Sequence, residues 1–188
     1  MTDTSLSRPG LPDALRVLLN DHPRDRWRSD PSFHGLVSFW LDRHLGFRDL
    51  TAALLADAEA ALDAKLSPDD HARRLARLGG HLVQDLHGHH QIEDHHYFPR
   101  LSALEPRLAA GFDILDADHH ALHDHIETFI KGANAILNAR GTPVTQGART
   151  GRFRDELVGF RTFLDRHLTD EEDLIVPVIL KHGDHAAG

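Results

Sequence analysis

The sequence predicts an all-α fold: an up-down-up-down four-helix bundle with a short N-terminal extension. Three observations carry this. Four long stretches place apolar residues at helical spacing, and no stretch alternates as a strand does. Compact turn signals separate the stretches. Each stretch carries a histidine, and these histidines are mirrored about the turns.

Residues 1–30 are rich in Pro, Asp, Arg and Ser and read as an extension or linker, with one short helix between Leu11 and Asn20. Residues 31–183 read as the helical domain, and 184–188 as a tail. The first long helix runs from about Ser32 to Ala64, with Val37, Trp40, Phe47 and Leu54 on one stripe and His44 in line with them. The second runs from about Pro68 to Leu104, with Ser67 as its cap and Pro68 at its first position. Its stripe is Leu75, Leu78, Leu82 and Leu86, followed by His89 and Glu93. Gly79-Gly80 weakens its middle, and Pro99 should kink or end it. The third runs from about Pro106 to Asn138, through Leu115, His119, Leu122, Ile126 and Phe129. A longer loop holding Arg140, Gly141, Gly147 and Gly151 leads to the fourth, from about Gly151 to Lys181. Its stripe is Phe153, Leu157, Phe160, Leu164, His167, Glu171, Leu174 and Val178. Pro177 should kink or end it.

Short connections favour antiparallel neighbours. In such a hairpin, residues equidistant from the turn share a height. The midpoint of His44 and His89 falls at Leu66–Ser67, that of Glu93 and His119 at Pro106, and that of His119 and His167 at Pro143. All four helices thus bring a histidine to one level, on core-facing stripes.

One motif occurs twice. His89-x3-Glu93-x5-Pro99 returns as His167-x3-Glu171-x5-Pro177. Residues i and i+4 share a helix face, so each copy offers an imidazole and a carboxylate in one direction. Buried unpaired carboxylates are costly, and a pair of cations removes that cost. Carboxylates bridge two ions while imidazoles cap each. With no cysteine in 188 residues, ligation is by nitrogen and oxygen alone. That donor set suits iron most naturally, with zinc or manganese as second choices. His123, one turn after His119, is a further candidate imidazole. His90 is adjacent to His89 and points partly away. His95, His96, His120 and His125 read as solvated groups or as partners that orient ligands. Tyr97 reads as a core residue.

Composition narrows the function. The 17 histidines are far above the usual share, and the net charge is −8 with no basic cluster. Binding to nucleic acid through its phosphates is disfavoured. No stretch has the length of a membrane span and none suits a signal peptide, so a cytoplasmic protein is the default reading. There is no His-Glu-x-x-His of zinc proteases, no Glu-x-x-His pair on two helices, no phosphate-binding glycine loop and no nucleophile elbow.

These residues resemble the hemerythrin-like, or HHE cation-binding, family. The resemblance covers about residues 33–182. It is carried by His44 with Gly46-Phe47-Arg48-Asp49-Leu50, and by His89-His90-Gln91-Ile92-Glu93-Asp94 leading to Phe98-Pro99. It continues with Asp118-His119-His120-Ala121-Leu122-His123, and with His167-Leu168-Thr169-Asp170-Glu171-Glu172 leading to Pro177. The resemblance implies a non-haem di-iron centre in a four-helix bundle. By position, His44 and His89 bind one iron, His119, His167 and His123 the other, and Glu93 and Glu171 bridge them. Animal hemerythrins have an aspartate five residues after the last histidine, where Glu171 here follows after four. The implied function is binding O2 or another small diatomic ligand, or responding to oxygen, redox state or iron. The alternatives are a di-iron enzyme consuming peroxide or nitric oxide, and a metal-dependent interaction module.

Overall fold

The computed structural model describes residues 8–138 and 142–183. The expected tail at 184–188 and the Arg140-Gly141 part of the expected loop lie outside the described residues. Among the described residues there is no strand. Six α-helices follow one another among these residues: α1 (Val17–Asp21), α2 (Leu36–Leu62), α3 (Pro68–Ile92), α4 (Phe98–Leu104), α5 (Ala109–Leu137) and α6 (Pro143–His182). None is long and apolar enough to cross a membrane.

The turns follow from local chemistry. Beyond α2 the backbone reverses at Ala64, whose φ is +56°, and Lys65 N–H bonds to the Ala60 carbonyl at 2.8 Å. Ser67 then caps α3, its Oγ accepting from Asp70 N–H at 3.1 Å. Asp69 and Asp70 complement the helix dipole in the first turn.

Gly79 and Gly80 do not interrupt α3. The predicted second helix does change character at Glu93–Tyr97, which form a π-helical turn between α3 and α4. Phe98 N–H bonds to the Glu93 carbonyl, five residues back. The wider ring makes room for Pro99, whose own ring would clash with a carbonyl in a regular helix. The structure corrects one further expectation. Helix α6 begins at Pro143, so Gly147 and Gly151 lie within a helix rather than in a loop. Pro177 also lies inside α6 and does not end it.

The chain forms two compact units, and each of the four long helices contributes one part to each. Among the described residues, the first comprises 8–45, His89–Ala121 and 165–183. Its core joins Trp40, Phe98, Leu101, Phe112, Leu115, Leu174, Ile175 and Ile179 to Leu11, Leu18 and Trp27. The segment read as an extension is therefore packed into this unit. The second comprises Gly46–Gly88 and Leu122–Leu164. Leu54, Leu75, Leu82, Leu86, Phe129, Phe153, Leu157 and Phe160 are buried in it. The Phe129 ring lies 5.4 Å from that of Phe153 and 6.0 Å from that of Phe160.

Candidate metal centre

The first unit gathers His44 from α2, His89 and His90 from α3, Glu93 from the π-helical turn, His119 from α5, and His167 and Glu171 from α6. All are buried or nearly so. Their donor atoms form two clusters. In the first, donors of His44, His89, Glu93 and Glu171 all lie within 4.8 Å of one another. The same limit encloses the donors of His90, His119 and His167 in the second.

The carboxylates lie between the clusters. Glu93 Oε1 is 2.9 Å from His89 Nε2, and its Oε2 is 3.5 Å from His119 Nε2. Glu171 Oε1 is 3.6 Å from His44 Nε2, and its Oε2 is 3.5 Å from His167 Nε2. Each carboxylate thus turns one oxygen toward each set of imidazoles. Trp40 donates its indole N–H to Glu171 Oε1 at 2.6 Å and fixes that side chain.

Behind the imidazoles sits a second row of acids. Glu172 Oε1 meets His44 Nδ1 at 3.0 Å. Asp94 Oδ1 meets His119 Nδ1 at 2.7 Å. Asp118 Oδ2 lies 3.7 Å from His167 Nδ1, beyond hydrogen-bond reach but close enough to act through its charge. A carboxylate at Nδ1 keeps the ring proton there and leaves Nε2 as a lone pair. That lone pair faces the site.

The result is a pocket in which acceptors outnumber donors. Both oxygens of Glu93, Oε2 of Glu171, and Nε2 of His90, His119 and His167 are buried without a hydrogen-bond partner. His89 Nε2 approaches Glu93 Oε1 closely, but the angle is not that of a hydrogen bond. Nε2 of His44 and Nε2 of His89 stand 3.2 Å apart. Donor atoms sharing one cation at about 2.1 Å stand roughly 3 Å apart in just this way. Each orphaned buried polar atom costs on the order of 1–3 kcal/mol. A cation at each cluster satisfies all of them at once, so the residues present fit a pair of metal ions.

Titration behaviour agrees. Burial, and then the charge of Glu171, holds the Glu93 carboxyl well above its ordinary value. Burial opposes ionisation of Glu171 too, but His44, Glu93 and His89 outweigh it and hold Glu171 well below the ordinary value. Burial works against a charge on His44, yet Glu171 and Glu172 raise it overall. Burial, reinforced by neighbouring imidazoles, pushes His89 down to about 3 and His90 well below the ordinary value. It lowers His167 as well. Most of the rings are therefore neutral, which is the ligating form.

The structure brings together six of the residues proposed from sequence: His44, His89, Glu93, His119, His167 and Glu171. His123 is not among them. It is exposed, and its Nε2 lies 3.5 Å from Glu127 Oε1. In its place stands His90, stacked on His119 with ring centroids 4.2 Å apart. A signal for His90 exists. At about 100° per residue, His89 and His90 flank Glu93 on opposite sides, at i−4 and i−3, and both spacings make neighbours. The supporting acids also leave a trace, since Asp94, Asp118 and Glu172 are each adjacent in sequence to a site residue.

Comparison with known proteins adds one finding. The hemerythrin HHE cation-binding domain matches residues 35–179. No curated protein and no solved structure matches the chain.

Proposed function

The chain belongs to the hemerythrin HHE cation-binding family, and we propose that it binds two iron ions and through them a small diatomic ligand such as O2. The observation that supports this most is the set of buried lone pairs without donors on Glu93, Glu171, His90, His119 and His167. In this reading Glu93 and Glu171 bridge the ions. His44 and His89 complete one site, and His90, His119 and His167 the other. The up-down-up-down bundle of α2, α3, α5 and α6 belongs to the same reading.

Iron bound there supplies reversible one-electron chemistry and an affinity for O2. The protein residues provide the rest. His44 and His89 offer one imidazole fewer than the opposite cluster, so an external ligand would bind on their side. Trp40 stands beside that side, its ring 6.4 Å from His44 and 6.0 Å from His89, and Tyr97 packs 5.0 Å from Trp40. These rings make that side apolar, which suits a small apolar ligand. No acid or base outside the ligands and their carboxylate partners stands out as catalytic, which favours binding and sensing over turnover.

Metal analysis of natively purified protein, with optical spectra of the reduced form before and after air, tests the reading. The expected result is close to two irons per chain and a reversible charge-transfer band. One metal per chain, or a colourless zinc protein inert to O2, would refute it.

A further inference from the structure

The segment before α2 does more than cover the core. We propose that residues 8–30 form a strap that holds metal ligands in position, with Arg24 as the positioning residue of His44, acting through Glu172. The inference rests on the two-cation reading above. The whole strap precedes the family match, which begins at residue 35.

Arg24 is clamped on one turn of α6. Its Nη1 donates to Glu172 Oε2 at 2.8 Å, its Nε to Asp173 Oδ1 at 2.6 Å, and its Nη2 to the Thr169 carbonyl at 2.9 Å. The guanidinium lies 4.9 Å over the ring of Trp27. Trp27 is buried in the core with Leu11 and Leu18, and its indole N–H bonds to the His22 carbonyl at 2.7 Å. Arg24 therefore stands on a fixed base.

Glu172 links the strap to the site. Its side chain is only 6% exposed. One oxygen takes Arg24, and the other takes His44 Nδ1. A buried carboxylate needs a countercharge, and a planar guanidinium holds it in one orientation. That orientation aims His44 Nε2 at the first cluster. Without Arg24, Glu172 loses its guanidinium countercharge and one of the contacts that fix its rotamer behind the imidazole, and the alignment of His44 loosens.

A second clasp repeats the arrangement on the other side. Leu11 N–H donates to Asp170 Oδ1 at 2.8 Å, and Arg8 Nη2 to Asp118 Oδ2 at 2.7 Å. Asp118 is the acid behind His167, and Arg166 holds it as well, at 2.9 Å. Arg166 supports Asp118 independently of the strap, so the clasp at Arg24 is the more decisive of the two. Arg74 makes a useful control. Its Nε holds Asp57 Oδ2 at 2.6 Å, and both residues belong to the second unit, apart from the strap and the site residues.

The test is ferrous iron release into a chromogenic chelator from anaerobically loaded full-length protein, with the melting temperature of the metal-free form alongside. Arg24→Gln should release one of the two ions about tenfold faster, the low end of what losing an outer partner of a ligand does. Glu172→Gln should do the same, and the double variant should be no faster than Glu172→Gln alone. Arg74→Gln should release both ions at the wild-type rate. If Arg24→Gln does not fold, Arg24→Lys keeps the charge but not the three-pronged contact, and should show the same selective release. A strap that only staples the core would lower the metal-free melting temperature and leave both release rates unchanged. That outcome, with wild-type protein retaining two ions, overturns the strap alone. Wild-type protein that retains no ferrous iron overturns both readings.

Discussion

Replacing His90 by alanine separates metal ligation from ordinary packing, because the two predict different effects on the metal-free protein. His90 Nε2 is buried without a partner. Removing it relieves a desolvation cost of roughly 1–3 kcal/mol. The same change loses the ring contact with His119, worth about 0.5–1.5 kcal/mol, and leaves a small void. The metal-free variant should therefore match the wild type to within about 1 kcal/mol. With metal the balance differs. Losing an outer partner of a ligand weakens binding about 10–100-fold, and losing the ligand itself should do at least as much. Tenfold is about 1.4 kcal/mol, so the loaded form should lose roughly 1.4–2.7 kcal/mol. For a chain of this size about 1 kcal/mol moves the midpoint by roughly 2–4 °C. The gap between loaded and metal-free melting temperatures should then shrink by roughly 3–10 °C. His123→Ala removes only an exposed pair with Glu127 and should leave both temperatures unchanged to within about 0.5 kcal/mol. Calorimetry of both forms under anaerobic conditions reads all four values. A His90→Ala protein that is weakened without metal, yet keeps the full gap on loading, would refute the assignment. So would a gap closed by His123→Ala.

Two further predictions concern stability. Adjacent glycines in α3 should respond with opposite signs: a Cβ on Gly79 would lie 3.0 Å from Phe129 Cζ, whereas one on Gly80 meets nothing. Phe129 is wedged between aromatic neighbours, so Gly79→Ala should cost about 1 kcal/mol net and Gly80→Ala should gain up to about 1 kcal/mol in urea titrations. The second prediction concerns pH. The Lys181 ammonium, with His182 and Arg107, draws the Glu105 carboxyl from 4.5 down to about 2. Between those values the unfolded chain binds more protons than the folded one, so this contribution is complete above pH 4.5 and lost as pH falls toward 2. Glu105→Gln should lower the melting temperature at neutral pH and flatten its fall across that window, and an unchanged slope would count against the ion pairs.

Much of the architecture follows from periodicity. The stripes through Leu75, Leu82 and Leu86, and through Phe153, Leu157 and Phe160, are buried as their spacing requires. What escaped was set by tertiary context. Gly147 and Gly151 lie inside α6 although glycine disfavours helix. The site followed the same division. His89 with Glu93, and His167 with Glu171, are legible because i and i+4 share a face. The same rule turns His90 away from the site when its angle is taken from His89, and toward it when the angle is taken from Glu93. His123 satisfied the spacing from His119, yet its side of the helix faces solvent. Arg8 and Arg24 could not be read at all, because their partners on α5 and α6 lie far along the chain and carry no local signature.

The π-helical turn at Glu93–Tyr97 bears on how such a chain can change in length. In a regular helix, Phe98 would point about 140° away from Glu93. Closing the ring over five residues brings it back, so a site carboxylate and the buried side chains of Phe98 and Leu101 all face inward. Deleting any one residue of this turn would preserve nearly the whole composition and still rotate α4 against everything before it. Its exposed positions, such as His95, are free to vary in kind. The number of residues between Glu93 and Phe98 is not, and an alignment gap placed there would separate chains that share the ligands from chains that share the site.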